Sequence, residues 1–321
     1  MTATDFRPSF LLPGAHAQTI AQSLLPGPAV PGPSRTIDVP VAEGTRIRMV
    51  LTRPVARPRG TLLLVHGLSG SAESGYMKRT AAQALAHGWA VARMNLRNCG
   101  GTEALSRTLY NAGQSDDAGA ALAALDAERS PRPFGLLGFS LGGNLALRYG
   151  GLSGEDCLAD AIVGVNPPVD LGRCIDAMER PGNAPYHLYF TLGLLAHIRR
   201  IRRFREVPGP GATLRSIRGV RAFDEAFTAP DAGFAGASHY YGESGAGRFL
   251  SGLRRPALIL SAKDDPFVPV SMFAPYDGKI PSLRALHPSA GGHCGYWARR
   301  APRFWAAAAA LAYFDEALSR S

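Results

Sequence analysis

Gly138-Phe139-Ser140-Leu141-Gly142-Gly143 lies between the short apolar run Arg132-Pro133-Phe134-Gly135-Leu136-Leu137 and the helix-forming run Asn144-Leu145-Ala146-Leu147-Arg148-Tyr149. This order predicts a strand, a sharp turn with a serine at its tip, and a helix, which together make a nucleophile elbow. The flanking glycines have a steric reason: strand and helix nearly touch at such a turn, and side chains there would collide. The turn aims the serine hydroxyl outward. The N–H of Leu141, at the helix N-terminus, then faces the place where an oxyanion develops during attack on a carbonyl. Because G-x-S-x-G also arises by chance in a chain with 37 glycines among 321 residues, the flanking strand and helix carry the reading.

Outward from the elbow, apolar runs and helical runs alternate. Thr61-Leu62-Leu63-Leu64-Val65, Trp89 to Met94, Ala161 to Val165, Pro256 to Leu260 and Ser282 to Leu286 read as inner strands covered on both faces. Ser74 to His87, ended by Gly88, and Ser115 to Glu128 read as helices, and Trp297 to Leu318 as a closing helix. Thr36 to Val39 and Thr45 to Thr52 alternate as an edge hairpin. The pattern predicts an α/β fold with a mostly parallel central sheet and helices on both faces. Residues 1–34, rich in proline and glycine, read as an extended arm. From 170 to 252 the strands pause, which predicts a helical cap inserted over the serine. Arm, sheet and cap are read as one domain, 1–321, with a shared site.

Composition narrows the function classes. Apolar residues at 46% and charged residues at 19% fit a globular protein with a substantial core. The net charge of +10 permits attraction to anionic surfaces, yet no nucleic-acid-binding motif accompanies it, so no nucleic-acid partner is expected. The N-terminal residues lack the basic and apolar regions of a secretory signal, and the alanine-rich stretch Trp305 to Phe314 is too short to span a bilayer. Cys99, Cys157, Cys174 and Cys294 have neither metal nor redox spacing. Free thiols, no metal, no cofactor and a cytoplasmic location are the expectations.

A serine nucleophile needs a base, and the base needs an acid to fix its tautomer. After the strand ending at Leu260 comes Ser261-Ala262-Lys263-Asp264-Asp265-Pro266, at the same sheet edge as the elbow. Asp265, directly before Pro266, is the preferred acid, and Asp264 is the alternative. Gly291-Gly292-His293 follows the last strand and places a histidine on a loop that can reach Ser140. His66-Gly67-Leu68-Ser69-Gly70 follows the first inner strand. There Gly67 permits a close backbone approach, Leu68 N–H is the second oxyanion donor, and His66 braces the loop. Arg97 to Glu103 forms another polar loop at that edge, read either as pocket lining or as a tight turn.

Residues 188–205 put Leu192, Leu195, Ile198 and Ile201 on one helical stripe beside Arg199, Arg200, Arg202, Arg203 and Arg205. The simpler reading buries the stripe and solvates the arginines, while a peripheral contact with anionic membrane is the alternative.

With these residues placed, the chain resembles the YheT-like branch of the α/β-hydrolases, related to the ABHD group of eukaryotic lipid esterases. The resemblance rests on Pro8-Ser9-Phe10, His16-Ala17-Gln18-Thr19, His66-Gly67-Leu68-Ser69-Gly70, Asn98-Cys99-Gly100-Gly101, the elbow, Phe223-Asp224-Glu225, Tyr240-Tyr241, Asp264-Asp265-Pro266 and Gly291-Gly292-His293. It implies an α/β-hydrolase fold with a helical cap and carboxylester hydrolysis by Ser140, Asp265 and His293. It also marks Phe223-Asp224-Glu225 as a brace between cap and core. The expected substrate is a small-molecule ester with a short to medium acyl chain or lipid-like character. A thioesterase or amidase could use the same triad, and a non-catalytic membrane-associated or scaffolding protein is the competing class.

Overall fold

The apolar runs become one sheet. In the computed structural model, which describes residues 6–207 and 214–319, the strands are β1 (Ser34–Ala42), β2 (Thr45–Thr52), β3 (Thr61–Val65), β4 (Ala90–Asn95), β5 (Phe134–Phe139), β6 (Ala161–Val165), β7 (Ala257–Leu260) and β8 (Leu283–Leu286). Their order is β1-β2-β4-β3-β5-β6-β7-β8, antiparallel where β2 meets β1 and β4 and parallel elsewhere. Every residue of β3, β5 and β6 is buried, as their unbroken apolar runs require. The two-residue strand period divides the core: Leu63 and Val65 join one apolar cluster, Leu62 and Leu64 the other.

Helices cover both faces. After α1 (Gly14–Leu24), α2 (Gly75–Ala86) contributes Met77, Ala81 and Leu85 to the cluster that also holds Trp305 and Phe314 of the last helix, Trp305–Leu318. On the opposite face, α3 (Asp116–Ala127) contributes Ala121 and Leu125, and α4 (Leu141–Ser153) contributes Leu145 and Ala146. None of the helices among the described residues is long and apolar enough to cross a membrane.

Two boundaries differ from expectation. The segment 1–34 is not an extended arm throughout, because its prolines flank a run from Ala15 to Leu24 that contains neither proline nor glycine and forms most of α1. Gln18 anchors that helix, donating from Nε2 to the carbonyls of Leu12 and Trp297 and accepting the Trp297 N–H. Residues 1–5 of the expected arm lie outside the described residues. The closing helix starts at Trp305 rather than Trp297, since Trp297 and Phe304 pair as an antiparallel bridge around Pro302.

Between β6 and β7 the chain builds the cap from α5 (Leu171–Met178), α6 (Ala184–Ile201), a π-helical turn at Asp224–Thr228 and the helix Ala237–Ser244. Residues 208–213 of the expected cap lie outside the described residues. On α6 the buried stripe is Leu194, Leu195, Ile198 and Ile201, whereas Leu192 is 54% exposed. At about 100° per residue, Leu192 turns with Leu188 and Arg199 onto the outer face.

Candidate active site

β5 ends in the elbow. Ser140 has φ 52° and ψ −120°, a positive φ that disfavours any residue with a Cβ, and its N–H donates to the Val165 carbonyl at 2.8 Å. The glycines are sterically required. A Cβ at Gly138 would fall 2.0 Å from the Gly142 carbonyl oxygen, and one at Gly142 would fall 2.3 Å from that of Val65.

His293 brings two groups together across the sheet edge. Its Nε2 lies 2.8 Å from Ser140 Oγ and its Nδ1 lies 2.7 Å from Asp265 Oδ2. The Asp265 carboxylate accepts more than this one bond: Oδ1 takes the N–H groups of Phe267 and Val268, and Oδ2 takes Asn166 Nδ2 at 2.6 Å. Tyr296 donates its hydroxyl to Asn166 Oδ1, which fixes the amide with its nitrogen toward the carboxylate. Since an ionised carboxylate only accepts, the neutral form of His293 carries its proton on Nδ1 and turns Nε2 to the serine as an acceptor. Burial works against an imidazolium at His293, but the adjacent Asp265 carboxylate outweighs it and raises the ring's affinity for a proton.

The two neighbouring acids are separated by geometry. Asp264 turns away from the imidazole, and its Oδ1 accepts the Gly292 N–H at 2.8 Å. It therefore holds the histidine loop, while Asp265 contacts the ring.

The β3 loop presses against the elbow. A Cβ on Gly67 would sit 3.1 Å from Ser140 Cβ, which leaves little room for any other residue. His66 Nδ1 donates to the Gly67 carbonyl, and its Nε2 accepts the Leu96 N–H at 3.0 Å. Complete burial pushes its pKa down to about 4, so the ring is neutral and ties this loop to β4. Among the described residues, neither the Leu68 N–H nor the Leu141 N–H donates to a protein acceptor.

Other expectations change. The Arg97 to Glu103 loop is a tight turn, where Arg97 pairs with Asp117 at 2.6 Å and Thr102 Oγ1 donates to the Cys99 carbonyl. Asp224 braces the cap internally instead of tying it to the core. Its carboxylate accepts the hydroxyls of Thr228 and Tyr241, both cap residues, and Glu225 accepts the Ala237 N–H. Ties from cap to core run elsewhere, among them Tyr240, whose hydroxyl accepts the Ala112 N–H at 2.8 Å, and Asp231, which accepts the Leu109 N–H.

Sequence reasoning missed two supports of His293. Asn166 sits at the end of β6 with φ 46°, and asparagine tolerates such a conformation, but nothing in the sequence linked it to Asp265. Thr19 of α1 accepts the His293 N–H at 2.8 Å while donating to the Ala15 carbonyl. It lies in the His16-Ala17-Gln18-Thr19 motif, whose sequence alone carries no sign of this contact.

Ser140 opens into an apolar cavity between sheet and cap, walled by Leu109, Ile175, Met178, Phe190, Leu194 and Val268. Leu68 and Leu141 line the same cavity, and the Ser140 hydroxyl that faces it is paired with the His293 imidazole.

The α/β-hydrolase fold family matches residues 60–179. YheT of Escherichia coli (strain K12) is 32% identical over 245 residues, covering 75% of this chain and 72% of YheT. Monoacylglycerol lipase of Saccharomyces cerevisiae is 27% identical over 257 residues, covering 76% of this chain but only 56% of the yeast protein, so the match spans little more than half of that relative. Among solved structures, 2,6-dihydroxy-pseudo-oxynicotine hydrolase superposes with a TM-score of 0.61 at 19% identity, covering 93% of this chain and 71% of that one, a likeness of fold. By sequence and architecture together, this chain is a hydrolytic enzyme and belongs to the YheT-like branch of the α/β-hydrolase family.

Proposed function

We propose that the protein is a serine hydrolase of carboxylic esters acting through an acyl-enzyme. Ser140 Oγ attacks the ester carbonyl as His293 Nε2 takes its proton. Asp265 holds the imidazole and stabilises its charged form, and the Leu68 and Leu141 N–H groups receive the oxyanion. His293 then returns the proton to the leaving alcohol, and water repeats the sequence on the acyl group. The observation that carries this reading is the continuous chain Ser140–His293–Asp265, at 2.8 and 2.7 Å, opening onto an apolar cavity. Both sheet and cap line that cavity, which supports one domain with one shared site.

The apolar walls favour short to medium acyl chains or lipid-like esters over charged substrates. The yeast relative's name as a monoacylglycerol lipase supports the lipid-like end of this range. Turnover of 4-nitrophenyl esters from acetate to decanoate tests the reading. Hydrolysis with kcat/KM rising beyond acetate is expected, whereas cleavage of acyl thioesters or amides with no turnover of any ester would transfer the same triad to another leaving group.

Thr19 is a positioning residue in this scheme. Thr19→Val keeps the shape but leaves the buried His293 N–H without its acceptor, so kcat is expected to fall about tenfold with KM little changed. Thr19→Ser should restore most of the rate. Steady-state kinetics on one ester checks both, and an unaltered kcat in the valine variant would remove the role.

Peripheral contact with an anionic bilayer is supported by the outer face around α6. Leu188, Tyr189 and Leu192 are each more than half exposed there, and Ile20 and Leu24 of α1 line a shallow groove with Tyr189. Arg199 and Arg203 are exposed close by and are paired with no carboxylate among the described residues. Cosedimentation with phosphatidylserine vesicles is expected to weaken with salt and in Arg199→Gln/Arg203→Gln, by about 1 kcal/mol per arginine. Equal binding to neutral vesicles would contradict the contact.

A further inference from the structure

The cavity beside Ser140 is apolar except for a few polar side chains, and the structure accounts for nearly all of them. Tyr110 Oη accepts the Ser69 N–H, Tyr240 Oη accepts the Ala112 N–H, and Asn111 Oδ1 accepts the Gly113 N–H at 2.9 Å. The two oxygens of Asp224 accept the hydroxyls of Thr228 and Tyr241 at 2.6 and 2.7 Å. His197, on α6, is the exception.

His197 lines the same cavity, is 5% exposed, and its Nε2 is buried with no hydrogen-bond partner. Of the buried, unpartnered side-chain nitrogens and oxygens among the described residues, it alone belongs to a residue of this cavity. Its protonation follows from its other nitrogen. Nδ1 lies 3.4 Å from the Arg200 guanidinium, which can only donate, so Nδ1 is the acceptor. Burial, reinforced by the charge of Arg200, pushes the pKa down to about 4, and the ring is neutral near pH 7. One proton remains for a neutral imidazole, and it sits on Nε2. The Tyr110 ring packs edge-on, with centroids 5.3 Å apart, and holds the imidazole in place. The imidazole in the wall of the cavity thus carries an N–H that no protein group accepts.

We propose that His197 Nε2–H is a substrate-recognition point, and that the preferred ester carries one oxygen acceptor, a ketone, ether or hydroxyl, on the chain that fills the cavity. A plain alkyl chain strands a buried donor, while an oxygen at the matching position pairs with it. A pocket with one such donor separates two chains of equal length more sharply than apolar contact can separate chains differing by a methylene. The proposal rests on the esterase reading for its chemistry but not for the binding itself.

The test is a set of 4-nitrophenyl esters of equal chain length in which a carbonyl or ether oxygen replaces one methylene at successive positions, each normalised to its hydroxide-catalysed rate. In the unaltered enzyme, one position is expected to raise kcat/KM about tenfold over the plain chain. The gain should vanish in His197→Phe and His197→Met and persist in part in His197→Gln, whose amide still donates. Calorimetric titration of Ser140→Ala protein with the same esters should give the same selectivity in Kd without turnover. A flat profile at every position, or an undiminished preference in His197→Met, overturns the proposal. Selective binding by Ser140→Ala without turnover by the unaltered enzyme would uphold the recognition point and remove the esterase reading. Turnover through Ser140 with a flat profile would do the reverse.

Discussion

Ser140→Ala is expected to lower kcat for ester hydrolysis by about 10⁶-fold, to the residual rate that binding and the oxyanion donors supply alone. The size follows from the role proposed: without Oγ there is no acyl-enzyme, and His293 has no hydroxyl to deprotonate. The fold should survive. Alanine removes only the hydroxyl at a φ of 52° that the flanking glycines already accommodate, and the Ser140 N–H bond to Val165 is a backbone contact. Kinetics on a single 4-nitrophenyl ester, beside a thermal melt of both proteins, separates lost chemistry from lost structure.

Asp265→Asn is expected to cost about 10⁴-fold in kcat. An asparagine amide placed against His293 can donate to Nδ1, which puts the ring's proton on Nε2, where it blocks rather than accepts the serine proton. The variant also carries a pH signature. Asp265 raises the proton affinity of His293, and the reaction needs the neutral ring. In the unaltered enzyme kcat/KM should therefore rise with pH along a limb lying above the ordinary histidine range near 6.5. Without the carboxylate that limb should move to lower pH, even as the rate collapses. Asp264→Asn provides the contrast. Its carboxylate meets the Gly292 N–H and not the imidazole, so a loss of about tenfold or less is expected, from a loosened loop. Comparable losses in the two variants would contradict the assignment of Asp265.

The sheet was legible because β3, β5 and β6 are unbroken apolar runs, and a strand buried on both faces admits little else. The elbow was legible because its glycines answer a local clash. The cap was visible as a pause in the strand pattern, though not in its internal bonds: the sequence marked Phe223-Asp224-Glu225 without revealing that Asp224 binds Thr228 and Tyr241 within the cap. Helix α1 was hidden by the proline and glycine on either side of it. Asn166 and Thr19 stayed hidden for a different reason. They act on Asp265 and His293, respectively, across separations of 99 and 274 residues, and single polar side chains carry no periodic signal of such contacts. Between Asp264 and Asp265 the sequence expressed a preference. In the fold only the Asp265 carboxylate meets the ring, while that of Asp264 meets the Gly292 N–H.

The most direct measurement is the site of covalent capture by a fluorophosphonate, which reacts with a serine only where a base and oxyanion donors activate it. Intact-protein mass spectrometry and peptide mapping are expected to find one adduct per chain, on Ser140, absent from Ser140→Ala and much slowed in His293→Ala. A protein that hydrolyses esters while Ser140 remains unlabelled, or an adduct formed as fast without His293, would contradict the account.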